Sequence, residues 1–148
     1  MARKILILNG PNLNLLGSRQ PEVYGSATLD DIKADCLERA RMLDLEIDFR
    51  QSNHEGELIS WIQQCQPPLF NGLVINPAAY SHTSIGIPDA LSAMELPKIE
   101  VHISNIFARE NFRHHSYVSP VATGIICGFG PAGYLLALNA IVELIQKT

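Results

Sequence analysis

Short apolar runs alternate along this chain with stretches of helical period. Ile5-Leu6-Ile7-Leu8 is four large apolar residues in succession, stopped by Asn9-Gly10-Pro11, and predicts a strand over 4–9 that is buried on both faces. The next stretch, 10–26, has no apolar period and is broken by glycines and prolines, so it reads as a long connection kept for function. Thr28 then caps a helix whose first turn holds Asp30 and Asp31, at the end where carboxylates suit the helix dipole. Leu29, Ile32, Cys36, Leu37, Ala40 and Leu43 supply its buried stripe. Leu45, Ile47 and Phe49 alternate with Glu46, Asp48 and Arg50, the pattern of a half-exposed edge strand.

A second helix is expected over 55–66, burying Leu58, Ile59, Ile62 and Cys65 and ended by Pro67-Pro68. The remaining elements follow in the same rhythm: a strand over 72–75, a helix over 89–94, a strand over 99–103, a second long polar connection over 104–120, a strand over 123–127 and a last helix over 131–146. That helix turns Tyr134, Leu138, Ile141, Val142 and Ile145 inward. Five strands alternating with helices imply an α/β flavodoxin-like three-layer sandwich with a five-stranded parallel sheet, formed by 1–148 as one domain.

Composition narrows the classes. With 47% apolar and 18% charged residues the chain has the make-up of an ordinary globular domain. Its net charge of -4 and the lack of a basic block speak against nucleic acid and anionic membranes as partners. The apolar run after Met1-Ala2-Arg3-Lys4 is too short for a signal segment or a span. Cys36, Cys65 and Cys127 are scattered in apolar surroundings, which reads as buried thiols in a reducing compartment; a cytoplasmic location is the expectation.

Candidate chemistry gathers where strands end, since polar groups of an open parallel sheet collect at the carboxyl ends of its strands. Arg19 and Tyr24 stand in the first long connection and Arg109 and Arg113 in the second. A phenol is a poor base at neutral pH, and a guanidinium within a few ångströms favours the phenolate. Strand alternation places Glu100 and His102 on one face of 99–103. There a carboxylate would orient the ring and fix its tautomer, as a general acid needs, while a structural strand-end hydrogen bond remains the competing explanation. Asn76 and Ser104, each just past a strand, offer donors for a carboxylate or hydroxyl, or simply cap.

Other chemistries find less support. The first loop carries neither a GxGxxG nor a GxxxxGK[ST] pattern, and turn geometry accounts for its glycines and asparagines without a nucleotide or flavin. Ser81-His82-Thr83-Ser84 lacks a GxSxG elbow. His82, His102, His114 and His115 show no metal-ligand spacing.

The stretches LNGPNLNLLGSRQPEVYG (8–25), QSNHEGELI (51–59), VINPAAYSHTSIGIPDAL (74–91) and IEVHISNIFARENFRHHSYVSPVATGIICGFGPAGY (99–134) together closely resemble the type II 3-dehydroquinate dehydratases, over nearly the whole chain. The resemblance implies trans elimination of water from 3-dehydroquinate to 3-dehydroshikimate through an enolate, without metal or cofactor, in the shikimate pathway or in quinate breakdown. It further implies a homododecamer, a tetramer of trimers. By that resemblance Tyr24 is the base for the C2 proton, with Arg19 beside it on a lid and Arg109 holding the phenolate. Asn12 stabilises the enolate through an ordered water, and His102, steered by Glu100, protonates the departing C1 hydroxyl. Asn76 holds the substrate, Ile103 and Ser104 take its carboxylate, His82 and Arg113 take its ring hydroxyls, and Asp89 reaches the neighbouring subunit's site.

Overall fold

The computed structural model describes residues 3–18 and 20–146. Its centre is a parallel sheet of β1 (Arg3–Asn9), β2 (Leu45–Gln51), β3 (Gly72–Asn76), β4 (Lys98–His102) and β5 (Gly124–Cys127), in the order β2-β1-β3-β4-β5. This is the flavodoxin-like arrangement, and β2 is the edge strand that its alternating pattern predicts. Helices α1 (Pro21–Tyr24), α2 (Leu29–Met42), α3 (Glu55–Gln64), α4 (Gly86–Ala93) and α5 (Ala132–Gln146) form the connections.

Because strand side chains alternate, the uninterrupted run in β1 feeds two cores at once. Ile5 and Ile7 join Val74, Ile99 and Val101 against Ile32, Cys36 and Ala40 of α2 and Ala137, Leu138 and Ile141 of α5. Leu6 and Leu8 join Leu73 and Ile75 against Leu58 and Ile62 of α3 and Ile87 and Leu91 of α4. Full burial of each such aliphatic side chain contributes roughly 1.5–3 kcal/mol, and this pair of cores makes the sheet a rigid platform.

Several expectations need adjusting. Leu37 is 48% exposed, so the inward stripe of α2 is narrower than its apolar residues suggest. Cys127 is half-buried, whereas Cys36 and Cys65 are enclosed and burial pushes both of their thiols up to about 12. The third helix-forming stretch begins at Gly86, ahead of Asp89, and the connection over 10–26 contains a 3-10 turn, Leu13–Leu15, besides α1. Leu13 and Leu16 anchor that connection by sinking into the first core.

In-register pairing brings the carboxyl ends of β1 and β3 level, Asn9 opposite Asn76, while β4 beside them ends at His102. The chain leaves β1 toward β2 on one side and has β3 on the other, which makes the β1/β3 boundary the switch point where open α/β sheets leave a crevice. Gly10 is required there. Its N–H donates to the Asn76 carbonyl at 2.8 Å, and a Cβ on it would lie 2.5 Å from the Pro77 carbonyl oxygen.

Candidate active site

The crevice at this strand end is a cleft of about 650 Å³, part of it open to solvent. Asn12, Tyr24, Asn76, His82, His102, Ile103, Ser104, Arg109 and Arg113 all line it, so nine of the twelve positions singled out in the sequence converge on one cavity. Glu100 lies behind His102 and is fully buried. Asp89 stands exposed on α4, away from the cleft lining, and Arg19 lies outside the described residues.

The strand alternation that pairs Glu100 with His102 is realised as a contact of 2.6 Å between His102 Nε2 and Glu100 Oε2. A carboxylate oxygen accepts, so Nε2 carries the hydrogen and Nδ1 is the nitrogen left for chemistry. Glu100 also accepts from the Ser116 hydroxyl at 2.7 Å and the Ser119 hydroxyl at 2.5 Å. Burial works against its ionisation, but the hydrogen bond and charge of His102, followed by the two serines, outweigh it and hold the carboxyl below its ordinary range. The pair is therefore a buried carboxylate with its lone pairs occupied, holding one imidazole in one tautomer.

Tyr24, the last residue of α1, occupies another wall. Arg109 Nη1 donates to the Tyr24 hydroxyl at 2.7 Å, and the guanidinium also lies 5.3 Å from the centre of the phenol ring. Arg109 is itself held: its carbonyl accepts from His114 Nε2 at 2.8 Å, and Ser104 Oγ lies 3.5 Å from its Nη1. A guanidinium aimed at a phenol oxygen stabilises negative charge there.

His82 reaches the cleft from the turn after β3. Its Nδ1 is 2.8 Å from the His115 carbonyl and must donate to it. Burial, joined by the charges of His102 and Arg113, lowers its pKa against the opposing pull of the His115 carbonyl and Glu100. The ring is thus neutral at physiological pH, with Nε2 as an acceptor. It lies 6.3 Å from the His102 ring, nearly parallel to it. Arg113 is paired with Glu110 at 2.6 Å while still facing the cleft.

Asn12 adopts a left-handed backbone, φ 68°, a conformation asparagine tolerates better than most residues. Asn53 holds it there, its Oδ1 accepting the Asn12 N–H at 2.9 Å. Sequence reasoning passed over Asn53, Ser116 and Ser119, and counted Tyr134 only as core. The signal for the serines is their spacing, three residues apart in a turn beside a strand-end carboxylate. For Tyr134 it is the hydroxyl itself, since a buried phenol needs a partner.

Taken together, the cleft sets a phenol that accepts from a guanidinium opposite an imidazole oriented by a buried carboxylate, two groups able to exchange protons, with neutral and cationic donors between them. Among the described residues no three His, Cys, Asp or Glu side chains are grouped to hold a metal ion.

Comparison with known proteins bears on this geometry. The family model described as Dehydroquinase class II matches residues 3–142. A protein of Brucella canis named 3-dehydroquinate dehydratase is 58% identical over 148 residues, covering 99% of this chain and 93% of that one. The crystal structure of a type II dehydroquinase from Propionibacterium acnes superposes with a TM-score of 0.92 at 50% identity, covering 97% of this chain and 98% of the other. A type II dehydroquinase from Butyrivibrio crossotus gives the same TM-score at 43% identity, covering 95% and 97%.

Proposed function

From the chain's membership of the class II dehydroquinase family, we propose how its residues divide the work of dehydrating 3-dehydroquinate to 3-dehydroshikimate. The chain is a 3-dehydroquinate dehydratase, a carbon–oxygen lyase. The observation that carries the division of labour is the pairing of Tyr24 with Arg109 at 2.7 Å in the same cleft as His102, itself tied to Glu100 at 2.6 Å.

The Tyr24 phenolate takes the proton from C2, beside the ketone. The electron pair of that C–H bond moves into the ring, leaving an enolate whose negative oxygen faces Asn12 across an ordered water. His102, protonated at Nδ1 with Nε2–H on Glu100, gives that proton to the C1 hydroxyl; the C1–O bond breaks, water leaves, and the C1–C2 double bond forms as the ketone is restored. The cycle ends with Tyr24 protonated and His102 neutral, and proton return through solvent resets both. Arg109 holds the Tyr24 oxygen in place and stabilises negative charge on it during proton transfer; Arg19, outside the described residues, is assigned to the same group by family membership alone.

Substrate binding follows from the donors. The carboxylate is taken at Ile103 and Ser104, directly past β4, and the ring hydroxyls by Asn76, His82 and Arg113. A neutral His82 with Nε2 as acceptor suits a hydroxyl donor. The chains assemble as a tetramer of trimers in which Asp89 reaches the neighbouring site. In support of that assembly, Asp89 is exposed away from its own cleft, and Ile85, Phe107, Phe112 and Phe129 leave large apolar surface exposed.

The test is the appearance of enone absorbance when purified, chelator-treated protein meets 3-dehydroquinate. Catalytic growth of the band is expected, unchanged by chelation. A folded protein that binds the compound without producing the band would overturn the reading.

A further inference from the structure

We propose that Tyr134 is a positioning residue which, with Asn9, fixes the side-chain amide of Asn76 so that it presents an N–H to the cleft and takes an acceptor oxygen of the ligand there. The inference rests on the dehydratase reading, in which Asn76 contacts substrate.

Tyr134 lies on α5 and is fully buried, as is Asn9 at the end of β1; Asn76, at the end of β3, is 2% exposed yet lines the cleft. Four hydrogen bonds join these elements. Asn9 Nδ2 donates to the Arg50 carbonyl at 3.0 Å, Tyr134 Oη donates to Asn9 Oδ1 at 2.7 Å, Asn76 Nδ2 donates to Tyr134 Oη at 2.9 Å, and the Ala78 N–H donates to Asn76 Oδ1 at 3.1 Å.

The polarity of this chain has one solution. The Arg50 carbonyl can only accept and the Ala78 N–H can only donate, so both ends are set by backbone groups. The Arg50 carbonyl turns the Asn9 amide so that its oxygen faces Tyr134. The phenol hydrogen is thereby committed to Asn9, and the phenol oxygen is left to accept from Asn76. The Ala78 N–H demands the same orientation of Asn76 from its other side. One Nδ2 hydrogen of Asn76 is used on Tyr134, and the second is the group available to a ligand. Flipping the amide would set oxygen against oxygen at Tyr134 and N–H against N–H at Ala78.

Tyr134 touches no reacting atom, so its loss acts only through Asn76. In Tyr134→Phe, Asn76 loses its acceptor and Asn9 its donor, and the Asn76 amide is held only by the Ala78 N–H, so its second N–H is aimed less strictly at the cleft. Asn76 binds substrate and transition state alike, so KM for 3-dehydroquinate rises about tenfold with kcat nearly kept. The decisive measurement is the double-mutant cycle with Asn76→Ala, because the KM effect of Tyr134→Phe disappears when Asn76 is already gone. Asn9→Ala leaves Tyr134 in place and gives the same KM signature, which covers the case of poor folding by the phenylalanine variant. An unchanged KM in a normally assembled Tyr134→Phe enzyme overturns the inference, as does a KM rise that adds in full to that of Asn76→Ala. An inactive wild-type protein would instead bring down the dehydratase reading.

Discussion

Glu100 illustrates how much of the chemistry is set by individual side chains. Its carboxyl is buried, which alone would favour the neutral form, and it is kept ionised by donors from His102, Ser116 and Ser119. Its folded pKa is depressed, so its stabilising contribution is complete above the ordinary carboxylate value of 4.5 and is lost as pH falls through the lower folded value. Ser119→Ala removes one donor and raises that folded value. The acid limb of kcat and the onset of acid unfolding should both move to higher pH, measured as a pH–rate profile and as melting temperature against pH. Coincidence of both curves with wild type would contradict the role given to Ser119. The pairing of Glu100 with His102 was legible in the sequence because a strand's period of two is rigid. The two serines were not, because they arrive from a connection whose path no local pattern specifies.

At the scale of elements, strands and helix starts were read most surely where chemistry and period coincide. Thr28 is such a case: its hydroxyl accepts from Asp31 N at 3.1 Å and the Asp31 carboxylate accepts from Thr28 N at 3.0 Å, a reciprocal cap that aims the chain into α2 immediately after the Tyr24 segment. Thr28→Ala should lower stability by about 1 kcal/mol, read by denaturant unfolding under conditions where assembly is held constant. An unaltered midpoint would show that the cap contributes nothing beyond the packing of Ile32, Cys36 and Ala40. The start of α4 at Gly86 was missed because Gly86 and Pro88 look like breakers, although a proline is well tolerated in the first turn of a helix. The turns inside the long connections were missed for a related reason: Leu13 and Leu16 are too few to define a period, yet they bury completely enough to anchor the first loop.

The molecule as a whole is organised so that strand ends meet long polar connections over one cleft. The parallel sheet with helices on both faces follows from patterning, since a parallel strand buried on both faces reads as an uninterrupted apolar run, whereas the strand order and the division into two cores are seen only in the folded chain. Convergence of Tyr24, His102 and Arg109 on one cleft follows from topology, because their elements all end on the same side of the sheet. Assembly is the part that a single chain displays least, and the proposal that Asp89 serves a neighbouring site has a direct consequence. Co-assembled Asp89→Asn and Tyr24→Phe chains should recover activity above the sum of the two variants alone, because some sites then combine an intact Tyr24 with an intact neighbouring Asp89. Mixed oligomers showing only the summed residual rates would place Asp89 outside catalysis.

Removal of the C2 proton by Tyr24, supported by Arg109, is the step on which the proposed mechanism turns. Its most direct test is the turnover of Tyr24→Phe on 3-dehydroquinate, followed by enone absorbance alongside a measurement of assembly. The expected result is a fall in kcat of about 10²–10⁴-fold with the oligomer intact, the scale of a lost general base. Near-normal turnover by the assembled variant would contradict it.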